Sequence, residues 1–248
     1  MPVLFQHGLC GDAAQTAEVF PPGVGLRCIT LECRGHGGSE AGDVTAFSIV
    51  RFADDIAEFI AARRLAPLVV GGISMGAAIA MRLAVTQPDL VRGLVIARPA
   101  WSILAAPANM RPNAEVGELL SSMRPEAARQ AFAASGTAQR LAAESPDNLA
   151  SLMGFFSREP SVVTAALLAS ISRDGPGVDA DQLRRIAVPT LVIATGMDLV
   201  HPLTMAGELS RLIPHARLTE ITPKGVDRRA YVAEFRDALD DFLKGFLR

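Results

Sequence analysis

The chain has 248 residues, half of them hydrophobic, which is enough for one α/β domain with a large insertion. Its formal net charge is −2 and it has no basic run, so we expect no nucleic-acid partner. The three cysteines, Cys10, Cys28 and Cys33, have neither paired nor zinc-site spacing, which indicates a reducing, cytoplasmic location without a disulfide framework. We expect no signal peptide and no membrane span, because the longest uncharged run, 65–81, contains three glycines and is too short.

Apolar, β-prone segments alternate along the chain with amphipathic segments of helical period. This alternation predicts a doubly wound, mostly parallel α/β sheet. Asp12, Ser48 and Pro202 stand where helices are expected to begin. The predicted strands are 2–6, 26–33, a strand ending just before residue 74, 91–97, 188–194 and 216–221. The predicted helices are 12–20, 48–64, a helix from the turn at residue 74 to residue 86, 202–213 and 228–246.

Residues 98–186 break this alternation. The stretch is rich in Ala, Leu and Met, with helical patterning around 115–123, 127–143, 148–156 and 162–172. We interpret it as a helical cap inserted after the strand at 91–97, with residues 1–97 and 187–248 forming the α/β core. Ligand sites of such sheets lie at the carboxyl ends of the strands, so the cap is expected to cover a site there.

The most specific local signal is Gly72-Ile73-Ser74-Met75-Gly76, between an apolar strand and an apolar helix. Gly-x-Ser-x-Gly in this context predicts a tight turn that presents Ser74 at the end of the sheet. Glycine at 72 and 76 allows the backbone and the helix to approach closely. The Met75 amide, at the helix N-terminus, would then point at a developing oxyanion. The alternative is a glycine-rich turn with a buried serine.

Four segments resemble the α/β-hydrolase family in their order and spacing: residues 7–11, 34–39, 72–76 and 196–202. By this resemblance they correspond to the oxyanion loop, the loop after the second strand, the nucleophile elbow and the acid loop. The resemblance implies an α/β-hydrolase-type sheet with an inserted helical cap, lacking the two N-terminal strands usual in the family. It implies no metal and no organic cofactor.

The resemblance also implies roles for individual residues. Ser74 would be the nucleophile, the backbone amides of Leu9 and Met75 would form the oxyanion hole, and Asp198 would orient a base. Ser74 could instead be an inactive serine in a binding pocket. Asp198 could instead cap the helix that begins near Pro202.

The family places its catalytic histidine after the last strand, where this chain has Val226, which cannot carry a proton. His201, three residues after Asp198, is the candidate substitute, because an imidazole titrates near neutral pH. His201 could instead cap the following helix or pack under the cap. Lys224 is a further candidate, provided that its surroundings remove its proton.

His7, Arg98 and Trp101 are candidate substrate contacts beside this site. Arg98 could clamp a carboxylate of the ligand, because a guanidinium forms forked hydrogen bonds, or it could pair with an acid at the cap hinge. His7 and His36 could instead brace their glycine-rich loops. His215 precedes the last strand and is expected at the surface.

Three functions are compatible with these residues. The first is hydrolysis of a small apolar ester, lactone or thioester through Ser74 with an unconventional base. The second is binding of a small molecule without turnover, and the third is acyl transfer or lyase chemistry on the same scaffold. A basic nitrogen beside the Ser74 hydroxyl would favour catalysis, and apolar surroundings would favour binding. We expect a small-molecule partner and a monomer or homodimer.

Overall fold

The computed structural model describes residues 1–23 and 25–247, in which six strands form one sheet. The strands are β1 Pro2–Gln6, β2 Arg27–Ile29, β3 Leu68–Ile73, β4 Val91–Ala97, β5 Thr190–Thr195 and β6 Ala216–Ile221. Their order across the sheet is β2-β1-β3-β4-β5-β6, and every neighbouring pair is parallel. The predicted doubly wound, parallel α/β sheet is confirmed.

Helices connect these strands, and several begin where the sequence predicts. The side chains of Asp12, Ser48 and Asp227 accept backbone N–H groups at the starts of their helices. Among the described residues, no helix has the length and apolar character needed to cross a membrane. The helices are α1 Ala13–Val19, α2 Ile49–Ala62, α3 Met75–Thr86, α4 Arg111–Ser122, α5 Pro125–Ala133, α6 Gly136–Glu144, α7 Pro146–Phe155, α8 Ser161–Ser172, α9 Ala180–Arg184, α10 Leu203–Leu212 and α11 Arg228–Lys244.

The sheet is covered on both faces because successive strand residues point to opposite sides. On one side Val3, Phe5 and Val69 pack in a cluster with residues of α1 and α11. On the other side Leu4 and Val70 join a larger cluster with residues of α2, α3 and α10, which continues into α4–α8. The strands between these two layers are therefore buried and apolar on both faces, as parallel strands usually are.

Several predicted boundaries differ from the observed ones by a few residues, and two predicted elements are wrong in larger respects. The predicted strand 26–33 is reduced to Arg27–Ile29, because the next residue, Thr30, turns its hydroxyl onto the Phe5 carbonyl oxygen at 2.9 Å. The predicted helix 127–143 is two helices, α5 and α6. Ser135 separates them, and its side chain accepts the Ala138 N–H at the start of α6.

Candidate active site

Four residues with strained backbone lie just beyond the carboxyl ends of four strands. Cys10 follows β1, Ser74 follows β3, Arg98 follows β4 and Met197 follows β5, and each has a positive φ between 44° and 59°. Positive φ is uncommon for residues other than glycine, and such strain is concentrated at functional sites. The strain therefore marks the same sheet edge that the sequence predicts for the site.

The turn between β3 and α3 holds Ser74 at φ 55° and ψ −111°. Its N–H donates to the Ala97 carbonyl oxygen at 2.9 Å, which fixes the turn to the end of β4. A Cβ at position 72 would lie 2.5 Å from the Gly76 backbone, so the turn has room only for glycine there. Ser74 is thus fixed by its backbone, independently of any contact of its hydroxyl.

The structure brings Ser74, His201 and Asp198 together. The His201 Nε2 atom lies 2.9 Å from Ser74 Oγ, and its Nδ1 atom lies 2.9 Å and 3.0 Å from the two carboxylate oxygens of Asp198. Because a carboxylate only accepts, the consistent tautomer has Nδ1–H donating to Asp198 and Nε2 accepting from the Ser74 hydroxyl. This order of contacts can move a proton from serine to imidazole.

His201 and Asp198 do not act as the helix caps that the sequence also allowed. The N-cap position of α10 is Pro202, which makes no side-chain capping bond. The Asp198 carboxylate instead accepts the His201 N–H at 2.9 Å, within its own loop. The Asp198 side chain thus holds the His201 ring, which contacts Ser74.

The Arg98 guanidinium is paired with the Asp198 carboxylate. Its Nε and Nη2 atoms donate to Asp198 Oδ2 at 3.0 Å and 2.7 Å, and its guanidinium lies over the Tyr231 ring at 5.9 Å. Nη2 is also 3.3 Å from His201 Nδ1. Both of these nitrogens carry protons in the assigned tautomer, so this contact is a repulsion once His201 becomes charged. Arg98 therefore pairs with an acid, which is the alternative that the sequence allowed, rather than being free to clamp a ligand.

These contacts set the protonation of the three groups. Burial lowers the pKa of His201, Arg98 lowers it further, and Asp198 opposes both. Burial alone would raise the pKa of Asp198, but the charges of His201 and Arg98 outweigh it and hold that pKa well below its usual range. At neutral pH the site has a neutral imidazole between a hydroxyl and a carboxylate.

Two backbone amides beside Ser74 are unused. Neither the Leu9 N–H nor the Met75 N–H donates to a described residue, and Met75 is the first residue of α3. The neighbouring Gly8 N–H is taken by the Gln15 side chain at 2.7 Å. Leu9 lines the same cavity as Ser74, and Met75 follows Ser74 at the N-terminus of α3, where the helix dipole favours negative charge.

A cavity of about 260 Å³ opens in front of Ser74, between the sheet edge and helices α4 and α7. Its wall is of mixed character. Apolar side chains come from Leu9, Ile73, Met110, Leu152, Phe155 and Val200, and polar ones from Gln15, Asn113, Asn148, Ser151, His201 and Lys224. This volume suits a small ligand.

Two expected substrate contacts lie outside this cavity. The imidazole of His7 is fully buried, with Nε2 accepting the Cys33 N–H at 3.0 Å, and its ring lies 4.7 Å from that of His36. The indole of Trp101 is buried and donates to the Asp174 carbonyl oxygen at 2.9 Å. Neither side chain lines the cavity, and His7 instead contacts the backbone of Gly8 and Cys33, which agrees with the loop-bracing alternative that the sequence allowed.

The remaining candidates are also positioned. Val226 is 62% exposed and makes no contribution to the cavity wall. Lys224 lines the cavity, and its Nζ atom is 3.6 Å from Asp147 Oδ1. Burial raises the pKa of the Cys10 thiol to about 12, so this cysteine stays neutral in the wall. His215 is exposed, as expected.

Three polar residues of residues 98–186 were missed by sequence reasoning, although they hold the loop that carries Asp198 and His201. Asn148 Oδ1 accepts the Val200 N–H at 3.0 Å, and Asn109 Nδ2 donates to the Val200 carbonyl oxygen at 2.7 Å. Ser145 Oγ lies 2.7 Å from the Met197 carbonyl oxygen. No sequence motif marks these residues, because they act through contacts more than 50 positions away.

No cluster of three or more His, Cys, Asp or Glu side chains that could hold a metal ion occurs in the part of the chain that the structure describes. The acidic and imidazole groups of the site are instead paired with each other, with Arg98 and with Ser74. These groups form one chain of contacts from Asp198 through His201 to Ser74.

Comparison with known proteins agrees with this fold. The family model for the alpha/beta hydrolase fold matches residues 1–225. The sn-1-specific diacylglycerol lipase ABHD11 of Mus musculus is 27% identical over 125 residues, which cover 49% of this chain but only 38% of that protein. BpoC of Mycobacterium tuberculosis is 28% identical over 204 residues, which cover 81% of this chain and 76% of that protein. The enol-lactonase of Burkholderia xenovorans LB400 has a similar structure, with a TM-score of 0.72 at 22% identity, covering 98% of this chain and 91% of that one.

Proposed function

This chain belongs to the α/β-hydrolase family, and on that premise we propose that it is a serine hydrolase with Ser74 as nucleophile, His201 as base and Asp198 as acid. The observation that carries the proposal is the 2.9 Å contact between His201 Nε2 and Ser74 Oγ. It is within the reach required for direct proton transfer. In this proposal the base comes from the acid loop, and Val226 occupies the usual histidine position without a role in catalysis.

The first half of the proposed reaction acylates the enzyme. Ser74 Oγ attacks the carbonyl carbon of an ester, lactone or thioester while its proton passes to His201 Nε2. The carbonyl oxygen becomes an oxyanion, which the Leu9 and Met75 amides stabilise. The imidazolium then gives its proton to the leaving group as the bond from carbon to that group breaks.

The second half returns the enzyme to its starting state. A water molecule attacks the acyl group and gives a proton to His201, and the acid product leaves when Ser74 Oγ takes that proton back. Asp198 keeps the imidazole in the tautomer with Nε2 unprotonated and stabilises its charge between the two transfers. Helices α4–α8 act in this proposal as a cap over the nucleophile elbow, and the cavity of about 260 Å³ limits the substrate to a small one.

The alternatives of ligand binding without turnover and of acyl transfer or lyase chemistry use the same cavity. The contact between His201 and Ser74 supports catalysis over binding, since a serine in a purely binding site needs no base. Hydrolysis and acyl transfer share the acylation step and differ in whether water or another nucleophile takes the acyl group.

A fluorophosphonate probe, which modifies activated serines, tests the proposal. We expect one adduct, located on Ser74 by intact-mass analysis and peptide mapping. Ser74→Ala should abolish it. His201→Ala should slow labelling by about a hundredfold or more, which is the usual contribution of a general base.

His215→Ala is the matched control, because it removes an exposed histidine just before the amino end of β6, whereas Ser74 lies at the carboxyl ends of the strands. It should be labelled at the rate of the wild type. Absence of an adduct on folded wild-type protein, or equal labelling of His201→Ala and wild type, would overturn the assignment of His201 as base.

A further inference from the structure

The charged groups that line the cavity in front of Ser74 are of one sign. Arg98 and Lys224 line it, and no aspartate or glutamate does so among residues 1–23 and 25–247. The nearest carboxylates, Asp147 and Asp198, face an adjoining narrow cleft. The charges that a ligand in this cavity would meet are therefore positive, although Arg98 and Lys224 each have a carboxylate partner that does not line the cavity.

Lys224 is the cation of the cavity that is held by an ion pair alone, without a hydrogen bond to any described residue. Arg98 is already paired with Asp198 at 2.7 Å. Lys224 Nζ is 3.6 Å from Asp147 Oδ1, which is too long for a hydrogen bond, and 31% of its side chain is exposed. An ammonium has three donors, so Lys224 can bind an anion that enters the cavity without first breaking a hydrogen bond.

Asn113, on the cap helix α4, supplies a second unpaired polar group. The residue is 94% buried (6% exposed) and lines the same cavity, and its Oδ1 atom has no hydrogen-bond partner. A buried amide without a partner costs about 1–3 kcal/mol of stability. Rotation of the amide plane exchanges its oxygen and nitrogen, so the group can present either a donor or an acceptor to a ligand.

We propose that the substrate is a small ester or thioester that also carries a carboxylate, which binds Lys224, while Asn113 hydrogen-bonds the polar part of the same molecule. This inference rests on the proposed serine-hydrolase function and specifies its substrate class. Apolar side chains such as Leu152 and Phe155 then contact the short carbon chain between the two polar ends.

Two pairs of isosteric esters test it, with the carboxylate in the acyl part or in the alcohol part. Monomethyl glutarate is compared with methyl 5-methylhexanoate, and O-acetylglycolate with isobutyl acetate. In at least one pair we expect kcat/KM to be about tenfold or more higher for the anionic ester, which corresponds to about 1.4 kcal/mol of preferential binding. The preference should weaken as the salt concentration rises.

Lys224→Met should reduce the ratio of the two kcat/KM values to about one, and Lys224→Arg should retain most of it. The chain has only one other lysine, Lys244, which is paired with Asp240 on α11. Lys244→Met therefore makes the same change of charge away from the cavity and should keep the wild-type ratio. A uniform loss of preference in both methionine variants would overturn the role of Lys224.

The two proposals can fail separately. If the wild-type protein hydrolyses the neutral and the anionic esters with equal kcat/KM, the inferred carboxylate is wrong while the serine mechanism stands. If no ester is cleaved and no fluorophosphonate adduct forms, the hydrolase proposal fails. Glutarate binding, measured as a rise in Tm, then tests the anion site by itself. A rise for wild type and Lys244→Met that is absent in Lys224→Met supports the site. No rise in any of the three proteins overturns it.

Discussion

His201 Nδ1 lies 2.9 Å from Asp198 Oδ1, and the two residues are three positions apart on one loop. The same carboxylate oxygen accepts the His201 backbone N–H at 2.9 Å. One short turn therefore fixes both side chains, so that their mutual geometry does not depend on the packing of a second loop. The position of this loop relative to Ser74 depends instead on contacts with other parts of the chain.

Arg98 is expected to shift the pH dependence of the proposed reaction. His201 must be neutral to accept the Ser74 proton, so activity falls as pH drops through the pKa of His201. That pKa is lowered by burial and by Arg98, against the opposing charges of Asp198 and Asp147. Replacing Arg98 by Gln removes the nearby positive charge, so the acidic limb of the kcat/KM profile should move to higher pH.

Arg98→Lys is the control, because it keeps the positive charge and loses only the two-pronged guanidinium contact with Asp198. Its acidic limb should lie nearer to that of the wild type. Arg98→Gln also leaves the buried Asp198 with one partner fewer, so we expect a loss of about 3–5 kcal/mol in stability, and its profile is recorded well below its Tm. An unchanged acidic limb in Arg98→Gln would contradict the electrostatic role of Arg98.

Ser145 is expected to position the loop of Asp198 and His201. Its hydroxyl is buried and lies 2.7 Å from the Met197 carbonyl oxygen and 2.8 Å from Asn148 Oδ1. A small displacement of a catalytic group can cost up to about a hundredfold in rate. Ser145→Ala should therefore lower kcat on a small ester by about tenfold to a hundredfold, with a smaller effect on KM.

The matched control is Ser122→Ala, since the Ser122 hydroxyl only bonds carbonyl oxygens of its own helix and is exposed. It should have wild-type kcat and KM. Equal kinetics for the two alanine variants would mean that the loop holds its shape without Ser145.

The sequence was sufficient to predict the parallel sheet and the turn at Ser74, because both depend on local patterns. Apolar runs of strand length alternate with helical periods, and Gly72 and Gly76 flank the serine at the spacing of a tight turn. It also named Asp198 and His201 as candidates, since they are neighbours on one loop beside the predicted site, and their roles stay predictions. It allowed Arg98 to pair with an acid but could not identify Asp198, 100 positions away, as that acid. It gave no sign of the contact between Ser145 and Met197, about 50 positions apart, because such contacts depend on packing.

Acid is expected to destabilise the protein through its buried histidines. Burial lowers the pKa of His36 to about 3 from an ordinary value near 6.5. As pH falls from about 6.5 toward 3, the unfolded chain binds a proton at His36 that the folded chain does not, so stability is lost over this range. The slope from one such group is about 1.4 kcal/mol per pH unit.

His36→Asn should therefore reduce the slope of unfolding free energy against pH between pH 6 and 4 by about that amount. The remaining slope includes His7 and His201, whose pKa values are also lowered by burial. Urea unfolding at several pH values measures it, with His215→Asn as the exposed control. If the two variants have the same slope, His36 is not the source of the acid sensitivity.

The contact between α3 and β1 leaves no room for a side chain at Gly76. A Cβ there would meet the carbonyl oxygens of Gln6 and His7, the second at 2.8 Å, and both belong to backbone that cannot rotate away. Gly76→Ala should move the start of α3 and therefore Ser74. We expect it to lower the free energy of unfolding by about 4 kcal/mol or more, or to prevent folding.

Gly154→Ala is the control, because a Cβ at this position of α7 would meet no atom of the described residues within 4 Å. It should instead stabilise its helix by about 1 kcal/mol. Urea unfolding of both variants compares them directly. A Gly76→Ala protein as stable as Gly154→Ala would mean that this turn can relax, and that its glycines are not what forces Ser74 into position.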